Sequence, residues 1–297
     1  MMHCLVGSEM CIRDRLCSPL DGIRFDEKQK INNELLKSGA SIDEMNIVRQ
    51  SISAVKGGRL LELIKPSNCI TYGISDIPGD DPSFIGSGPT IYSNNDPNKL
   101  FEILENYQIE ISKEILSIIK TNLLPKGINE NFHLIASPMK ALKAASNLAK
   151  KIGFLPIILS DKLEGDASKE GERMANLALK IKKEKRYKNI SLEKPILLLS
   201  GGETTVKVNG LGKGGRNSEF ALSMVNTLKG NKNILGLSID TDGIDGSEDN
   251  AGAFFSYETF LKSKKLNLDI KNYISNNDAF SFFEKTKDLI YTGPTLT

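Results

Sequence analysis

The residues best suited to chemistry lie in a glycine-rich stretch, LLLSGGETTVKVNGLGKGGRNSEFALSMV, which spans residues 197–225. Its glycines are Gly201, Gly202, Gly210, Gly212, Gly214 and Gly215. Glycine lets main-chain N–H groups approach a ligand closely, and Lys213 and Arg216 add positive charge. A helix expected from about Ser218 would add the partial positive charge of its N-terminus. These features predict a phosphate or carboxylate site, and the alternative is a tight connection between a strand and a helix.

The same glycines leave a second chemistry open. Gly210, Gly212 and Gly215 satisfy G-x-G-x-x-G, which by itself is a weak signal for dinucleotide binding. That fingerprint needs an acidic residue about 20 positions later, at the end of the next strand, and Asp240 falls somewhat late. A nicotinamide oxidoreductase therefore remains an alternative. The sequence contains neither a P-loop nor the HRD and DFG segments of protein kinases.

Acidic residues follow a second predicted strand, in SIDTDGIDGSEDNAGAF at residues 238–254. Asp240, Asp242 and Asp245 would lie at the carboxyl end of that strand, where α/β proteins bind ligands. Clustered carboxylates suit Mg²⁺ bound with phosphates, or removal of a proton from a hydroxyl group. The spacing does not match a calcium loop, and an Asp/Gly-rich turn is the alternative.

A third group of polar residues joins two neighbouring segments. SDIPGDDPSFIGSGPT, at residues 75–90, carries acidic side chains among rigid turn residues, and VRQSISAVKGGRL, at residues 48–60, precedes it with basic ones. The side chains concerned are Asp76, Asp80, Asp81, Arg49, Lys56 and Arg59. Surface salt bridges explain this grouping as well as a binding site does.

Composition excludes several classes of function. The 39 basic and 37 acidic residues nearly balance, so we expect no nucleic-acid partner, and no apolar run is long enough to predict a membrane span. Outside residues 1–15 the cysteines are Cys17 and Cys69, which suit neither a disulfide framework nor a zinc site and favour a cytoplasmic location. A Ser-His-Asp mechanism would have to depend on His133 alone.

The elements expected to position these residues alternate between helix and strand. Helix starts are predicted at Ser41 with Glu44, at Asp96 with Pro97, and at Ser137 with Pro138. The helix that starts at Ser41 is expected to end at Gly57 and Gly58. Short apolar runs predict buried parallel strands at Cys69–Ser75, Phe132–Ser137, Leu155–Ser160, Pro195–Ser200 and Ile234–Asp240. A second short strand is expected at TTVKV, residues 204–208. The pattern predicts two layered, Rossmann-like α/β domains with largely parallel sheets.

The opening of the chain differs from the rest. LVGSEMCIRDR, at residues 5–15, has no apolar period and no turn chemistry, and it resembles one reading frame through a sequencing adapter. We interpret residues 1–15 as a non-native segment and exclude them from predictions of the fold.

Together these motifs and the final TGPT resemble the glycerate 2-kinases of the MOFRL type, some of which are labelled hydroxypyruvate reductases. The resemblance spans roughly residues 16–297. It implies an N-terminal glycerate kinase domain whose last part is residues 16–190, and a MOFRL domain at residues 191–297. It also implies two α/β domains with the site in the cleft between them, and ATP-dependent phosphorylation of D-glycerate at its 2-hydroxyl group.

The resemblance suggests roles for individual residues. Arg216 and Lys213 would stabilise charge on the transferred phosphoryl group, and Asp240 or Asp242 would take the hydroxyl proton or organise Mg²⁺. Asp245 would be a second metal ligand. Lys56 is a further candidate catalytic residue, and Lys56, Arg49 and Arg59 are candidates for binding glycerate or phosphate. The other candidate binding residues are Asp76, Asp80, Ser87, Gly201, Gly202, Glu203, Gly212, Gly214, Gly215 and Asn217.

The chain departs from the family at both ends. Family members carry earlier GKA and GGGSA segments and an Asn-rich ending after TGPT, and none of these occurs here. We therefore expect a fragment with an incomplete first domain, inactive as it stands. The partners expected for the family are glycerate and ATP, with a homodimer as a further expectation. The alternatives are a nicotinamide-dependent hydroxypyruvate reductase and a non-catalytic remnant.

Overall fold

The computed structural model describes residues 16–295 except 76, 78, 94, 95, 129, 130, 188, 189, 192 and 193. The segment 1–15 and the candidate Asp76 lie outside the described residues. The chain divides into two compact units, Met1–Ser137 (unit 1) and Pro138–Thr297 (unit 2). The domain boundary near residue 190 stays a prediction. Within the described part of the chain, none of the helices combines the length and apolarity needed to cross a membrane.

Unit 1 is mainly helical. Its helices are α1 (Phe25–Ser38), α2 (Ile42–Ser51), α3 (Arg59–Leu63), α4 (Pro97–Asn106) and α5 (Lys113–Thr121), with a 3₁₀ turn at Ile85–Ser87. Its strands β1 (Thr71–Ile74) and β2 (Phe132–Ala136) pair in parallel, as predicted. These strands are not fully buried, since Tyr72 is 66% exposed and Ile135 57% exposed. The expectation of buried strands is therefore wrong at these positions.

Local capping explains where two of these helices begin. The Ser41 hydroxyl accepts a bond from the Glu44 N–H, and the Glu44 carboxylate accepts one from the Ser41 N–H at 2.9 Å, so the predicted capping box is confirmed. Asp96 accepts from the Asn98 N–H at 2.9 Å and caps α4. The expected end of α2 at Gly57 is wrong, because the helix stops at Ser51.

The early end of α2 has a physical reason. One terminal nitrogen of the Arg59 guanidinium donates to the carbonyl of Gln50 at 2.6 Å and to that of Ser53 at 2.9 Å. Carbonyls at a helix end have no partner within the helix, and here a side chain supplies one. The main chain then turns into α3 instead of extending α2.

The core of unit 1 lies between its helices and contains a buried lysine. Leu35, Val48 and Ile52 are fully buried among the helices. Lys28 on α1 is only 4% exposed, and its ammonium group donates to the carbonyls of Cys17 at 2.9 Å and Ser18 at 3.2 Å. Two carbonyl acceptors replace only part of the hydration of an ammonium ion, so this lysine is costly to keep charged.

Lys28 should make the stability of unit 1 depend on pH. Burial, and then the charge of Lys56, lowers the pKa of Lys28 to about 8, against the opposing effect of the Cys17 thiol. Between about pH 8 and the ordinary lysine pKa near 10.5, the unfolded chain binds more protons, so the free energy of unfolding should rise with pH. Lys28→Met should remove this rise, which urea denaturation across that range measures. An unchanged slope in the variant would contradict the assignment.

Unit 2 contains the remaining elements. Its helices are α6 (Pro138–Lys151), α7 (Ala167–Glu184), α8 (Arg216–Leu228), α9 (Tyr257–Lys265), α10 (Ile270–Ser275) and α11 (Ala279–Thr286). Its strands are β3 (Leu155–Asp166), β4 (Arg186–Tyr187), β5 (Ile190–Ser191), β6 (Ile196–Thr205), β7 (Gly236–Ile239), β8 (Gly252–Phe255) and β9 (Leu289–Ile290). Strands β3 and β6 pair in parallel. The hydrophobic core of unit 2 includes the fully buried Phe282 and Phe283 of α11.

Two expectations for unit 2 are wrong. Strand β7 pairs antiparallel with β8, and β8 with β9, because the β7–β8 connection contains no helix and returns when Asp240 N–H donates to the Ala251 carbonyl at 2.7 Å. The separate strand at TTVKV does not form: its first two residues end β6, and residues 206–209 are not in a strand. Helix α8 starts at Arg216, two residues before the expected Ser218.

Candidate active site

Arg216 joins two other predicted site residues at the start of α8. Its Nε and Nη2 atoms donate to one oxygen of Asp240 at 3.1 and 2.8 Å, and Nη1 donates to Glu203. Asp240 follows β7 directly and Glu203 lies in β6, so two strand ends and a helix start meet here. Burial alone would lower the pKa of Arg216, but the hydrogen bonds and charges of both carboxylates outweigh it and raise that pKa above its ordinary value.

The ion pairs of Arg216 differ in exposure. The Asp240 side chain is 12% exposed, whereas that of Glu203 is 66% exposed. Water competes for an exposed carboxylate, so the pair with Glu203 contributes little stability and can exchange for another anion. The pair with Asp240 instead fixes the direction of the guanidinium group. The arrangement holds a permanent positive charge with one replaceable partner.

The first part of the glycine-rich loop binds the protein itself. Five successive main-chain amides, those of residues 209–213, donate to Asn276, Asn277 and Asp278 in the turn before α11. A Cβ atom on Gly210 would lie 2.3 Å from the Asn276 carbonyl oxygen, and one on Gly212 would lie 2.4 Å from the Asp278 Cβ. The close approach that these two glycines permit is therefore to this turn.

The last two glycines of the loop are different. The N–H groups of Gly214 and Gly215 have no acceptor among the residues that the structure describes. They lie directly before the first turn of α8, where the helix dipole favours negative charge. The Lys213 ammonium lies 3.5 Å from the Glu248 carboxylate and is largely exposed. An incoming phosphate would find free amides, a lysine and an arginine within a few residues.

Asp245 caps α8. It is fully buried, and its oxygens accept from the N–H groups of Asn217 at 2.8 Å and Ser218 at 2.7 Å and from the Ser218 hydroxyl. A carboxylate in this position satisfies helix amides that have no partner within the helix, and it complements the dipole. Both oxygens are thus used within the protein, so this geometry gives the predicted metal role of Asp245 no support.

Asp242 remains available for a ligand. Its side chain is exposed, and one oxygen accepts from the Ile244 N–H at 2.8 Å, while the other has no partner in the described part of the chain. The TGPT segment lies against this loop, since Thr295 N–H donates to the Asp242 carbonyl at 2.9 Å. Across the described ranges, no group of three or more His, Cys, Asp and Glu side chains could hold a metal ion.

The three remaining candidates of unit 2 differ in their local contacts. They are Asn217, Gly201 and Gly202. The Asn217 amide nitrogen lies 3.4 Å from the Asp240 oxygen that also accepts from Arg216, and Asn217 Oδ1 accepts from Ser238 at 2.8 Å. Gly202 has a φ of +145°, and a Cβ atom there would lie 2.2 Å from the Leu163 nitrogen. Gly201 meets only ordinary contacts. Asn217 therefore supports the orientation of Asp240, whereas Gly202 lets β6 lie close to β3.

In unit 1 the two predicted motifs pack together. The N–H of Gly57 donates to the Ser87 carbonyl at 3.0 Å and that of Gly58 donates to the Gly88 carbonyl at 2.8 Å. Ser87 is buried, and its hydroxyl donates to Asn46 on α2 at 2.8 Å. Besides the carbonyls of Gln50 and Ser53, the Arg59 guanidinium donates to the Asn122 carbonyl at 2.6 Å. Burial lowers the pKa of Arg59 to about 10. These contacts give Ser87 and Arg59 structural partners.

The other described candidates of unit 1 are Lys56, Asp80 and Arg49. Lys56 lies near enough to Lys28 to lower the pKa of Lys28. Asp80 has a φ of +57° in the turn after β1. The binding roles of Lys56, Asp80, Arg49, Arg59 and Ser87 stay predictions.

The sequence did not reveal Asn276, Asn277 and Asp278 as functional residues. Asn-Asn-Asp after a helix indicates only a turn, and asparagine tolerates the left-handed conformation that Asn277 adopts, with a φ of +52°. The acceptors of this turn reach the loop across 64 to 68 residues of sequence. A local pattern contains no signal for such a contact.

The fold is of the α/β class, and comparison with known proteins identifies the family. Residues 14–120 match the model described as a domain of unknown function (DUF4147), and residues 196–297 match the MOFRL family. The chain belongs to the MOFRL-type glycerate kinase family, some of whose members are named hydroxypyruvate reductases. The predicted family is confirmed.

Individual relatives support this assignment. The chain is 40% identical to a protein named putative hydroxypyruvate reductase from Agrobacterium vitis, over 95% of this chain and 74% of that one. It is 38% identical to the D-glycerate 2-kinase of Thermotoga maritima, over 94% of this chain and 66% of that one. The crystal structure of Thermotoga maritima glycerate kinase superimposes with a TM-score of 0.84 at 37% identity and 94% coverage of this chain, which confirms the α/β fold. The chain spans about two thirds of the length of these kinases.

Proposed function

We propose that this chain contributes to a glycerate 2-kinase, which transfers the γ-phosphoryl group of ATP to the 2-hydroxyl group of D-glycerate. The observation that carries the proposal is Arg216, held at a helix N-terminus beside two amides that are free in the described structure and balanced by one partly buried and one exposed carboxylate. Phosphoryl transfer depends mainly on such positioning and charge stabilisation. The names of the relatives point to the same chemistry.

Each group at the site is assigned one role in the phosphoryl transfer. The new bond joins the 2-hydroxyl oxygen to phosphorus as the bond between phosphorus and the leaving ADP oxygen breaks. Arg216, oriented by Asp240, would replace its bond to Glu203 with one to a phosphoryl oxygen. The amides of Gly214 and Gly215 would donate to other phosphate oxygens. The hydroxyl proton would pass to Asp242, whose second oxygen is free in the described structure, because Asp240 is occupied by Arg216.

Mg²⁺ and ATP belong to the same proposal. Magnesium commonly binds one or two protein carboxylates together with substrate phosphates and keeps several waters, so it does not need a cluster of three acidic residues. Asp242 fits that pattern only in place of its role as proton acceptor, because one of its oxygens is free in the described structure, and the buried Asp245 does not fit it. The bound ion would neutralise phosphate charge.

A cytoplasmic location agrees with the free thiols of Cys17 and Cys69, and the homodimer stays a prediction from the sequence.

A nicotinamide-dependent hydroxypyruvate reductase is the second candidate, because the Agrobacterium vitis relatives bear that name. The geometry of the loop opposes it. A dinucleotide fingerprint needs loop amides free for a pyrophosphate and an acidic residue free for a ribose hydroxyl. Here the amides of residues 209–213 bind the turn at residues 276–278, and Asp240 is paired with Arg216.

One pair of assays separates the candidates. The chain is incubated with D-glycerate and MgATP, and ³¹P NMR identifies the product; in parallel, NADH or NADPH absorbance is followed with hydroxypyruvate and no ATP. Formation of 2-phosphoglycerate, absent with L-glycerate, supports the kinase. A fall in NADH or NADPH absorbance with hydroxypyruvate would instead overturn the kinase proposal in favour of the reductase. If neither assay gives a product, the result favours the non-catalytic remnant.

A further inference from the structure

The turn formed by residues 276–278, here called the NND turn, fixes the loop that leads to Arg216. It supplies an acceptor to each main-chain amide of residues 209–213, here called the clamped loop. We propose that Asn277 is a positioning residue of the phosphate site, whose side chain holds the clamped loop in register with α8 and is itself oriented by Glu219. This inference rests on the proposed kinase function and assigns Asn277 no contact with substrate.

The Asn277 side chain uses its full bonding capacity. Its Oδ1 accepts from the amides of Asn209 at 2.7 Å and Gly210 at 3.0 Å, and its Nδ2 donates to the Lys207 carbonyl at 3.2 Å and to Glu219 at 2.9 Å. An asparagine amide offers two acceptor and two donor positions, and all four are occupied. One side chain thus holds the main chain on both sides of Val208, where it enters the clamped loop.

Glu219 determines which way this amide faces. It is 5% exposed in the first turns of α8, so its position is set by the helix that carries Arg216. An ionised carboxylate only accepts, so it must face the NH₂ side of Asn277, and the oxygen is then left for the two loop amides. The helix therefore dictates the orientation of Asn277, and Asn277 dictates the path of the loop.

The clamped loop ends at the proposed binding groups. Lys213 is its last residue, and its amide donates to Asp278 at 3.0 Å, while its carbonyl accepts from Phe280 N–H at 3.0 Å. Gly214, Gly215 and Arg216 follow without a gap. A loop released at residues 209–210 would still reach α8, but the lysine and the free amides would no longer be held ready for a phosphate. Ordering them would then be part of binding, which weakens affinity.

The sharpest variant is Asn277→Asp, which keeps the shape and both acceptors but replaces the donor facing Glu219 with an oxygen. Burial raises the pKa of Glu219, the bond from Asn277 opposes this rise, and the charges of Asp166 and Asp245 add to it. In the variant, two carboxylates face each other. They can share a proton at low pH and must repel at higher pH. The loop should therefore be held at about pH 5 and released at about pH 8.

A second substitution should reverse the effect. In Asn277→Asp with Glu219→Gln, the glutamine NH₂ donates to the new aspartate, so the same bond forms with donor and acceptor exchanged. Asn272→Asp on the exposed surface of α10 is the matched control, because it adds the same charge nearby without removing any contact of the clamped loop. A general destabilisation would not be repaired by the double variant.

Hydrogen–deuterium exchange of residues 207–213, measured in the full chain at both pH values, reads the clamp directly. We expect Asn277→Asp to exchange about tenfold or more faster than the parent at pH 8 and to differ much less from it at pH 5. The double variant still lacks the donor to the Lys207 carbonyl, so it should recover most of the parent's protection. The KM for MgATP should rise about tenfold at pH 8 in Asn277→Asp, with kcat changed much less. The thermal transition of Asn272→Asp should match that of the parent.

Other outcomes overturn the inference in distinguishable ways. Equal exchange in Asn277→Asp and Asn272→Asp, or no recovery in the double variant, would show that Asn277 does not clamp the loop. Faster exchange with an unchanged KM for MgATP would show a clamp without a positioning role. A parent chain that neither binds nor uses MgATP would instead overturn the proposed function, and the positioning role with it.

Discussion

Arg216→Ala is expected to lower kcat/KM for glycerate phosphorylation by about 10³-fold, with most of the loss in kcat. Arginines that stabilise charge on a transferred phosphoryl group contribute on that order. The change would also leave Asp240 and Glu203 facing an approaching phosphate without the cation between them. The variant thus loses an attraction and gains a repulsion, and steady-state kinetics with D-glycerate and MgATP measure the sum.

Matched variants separate these two effects. Arg216→Lys keeps the charge but not the fork that binds Asp240 through Nε and Nη2, so it should recover only part of the rate. Adding Glu203→Gln and Asp240→Asn to Arg216→Ala removes the repulsion. Activity that stays low in this triple variant assigns the loss to the missing arginine, and activity that returns assigns it to the exposed carboxylates. Normal turnover of Arg216→Ala itself would show that the role is wrong.

The parts of the fold that the sequence predicted correctly depend on nearby residues. Ser41 and Glu44 lie three positions apart, and Asp96 bonds an amide two positions on, so their capping bonds follow from the local sequence. The end of α2 could not be predicted in this way. Its carbonyls are satisfied by Arg59, which a pattern ending at Gly57 and Gly58 cannot reveal.

In the candidate site, too, the features set by nearby residues could be predicted and those set by distant partners could not. Arginine beside glycines before a helix already suggested an anion site, because side-chain type and helix position determine that preference. The metal role of Asp245, inferred from its neighbours in sequence, stays a prediction, and the partners that the structure gives it lie 27 and 28 positions away at the start of α8. The function of a carboxylate depends on which donors face it in space. Asn277 was missed for the same reason.

The second large effect concerns stability. Gly215→Ala should lower the free energy of unfolding of unit 2 by about 3 kcal/mol, the upper range for overpacking. A Cβ atom there would lie 2.3 Å from both the carbonyl carbon and the carbonyl oxygen of Asp245. That main chain cannot easily move, because the Asp245 side chain caps Asn217 and Ser218. Either the cap or the helix start must shift.

Gly201→Ala is the matched control for this change. Its new Cβ atom would meet only the Leu142 side chain at 3.5 Å and Pro138 at 3.8 Å, which are ordinary contacts, so stability should change by less than about 1 kcal/mol. Urea denaturation of the parent chain and both variants measures the difference. Equal midpoints would mean that the Asp245 loop yields without cost. The Asp245 cap would then not be rigid enough to position Arg216, because the start of α8 that it holds also carries Arg216.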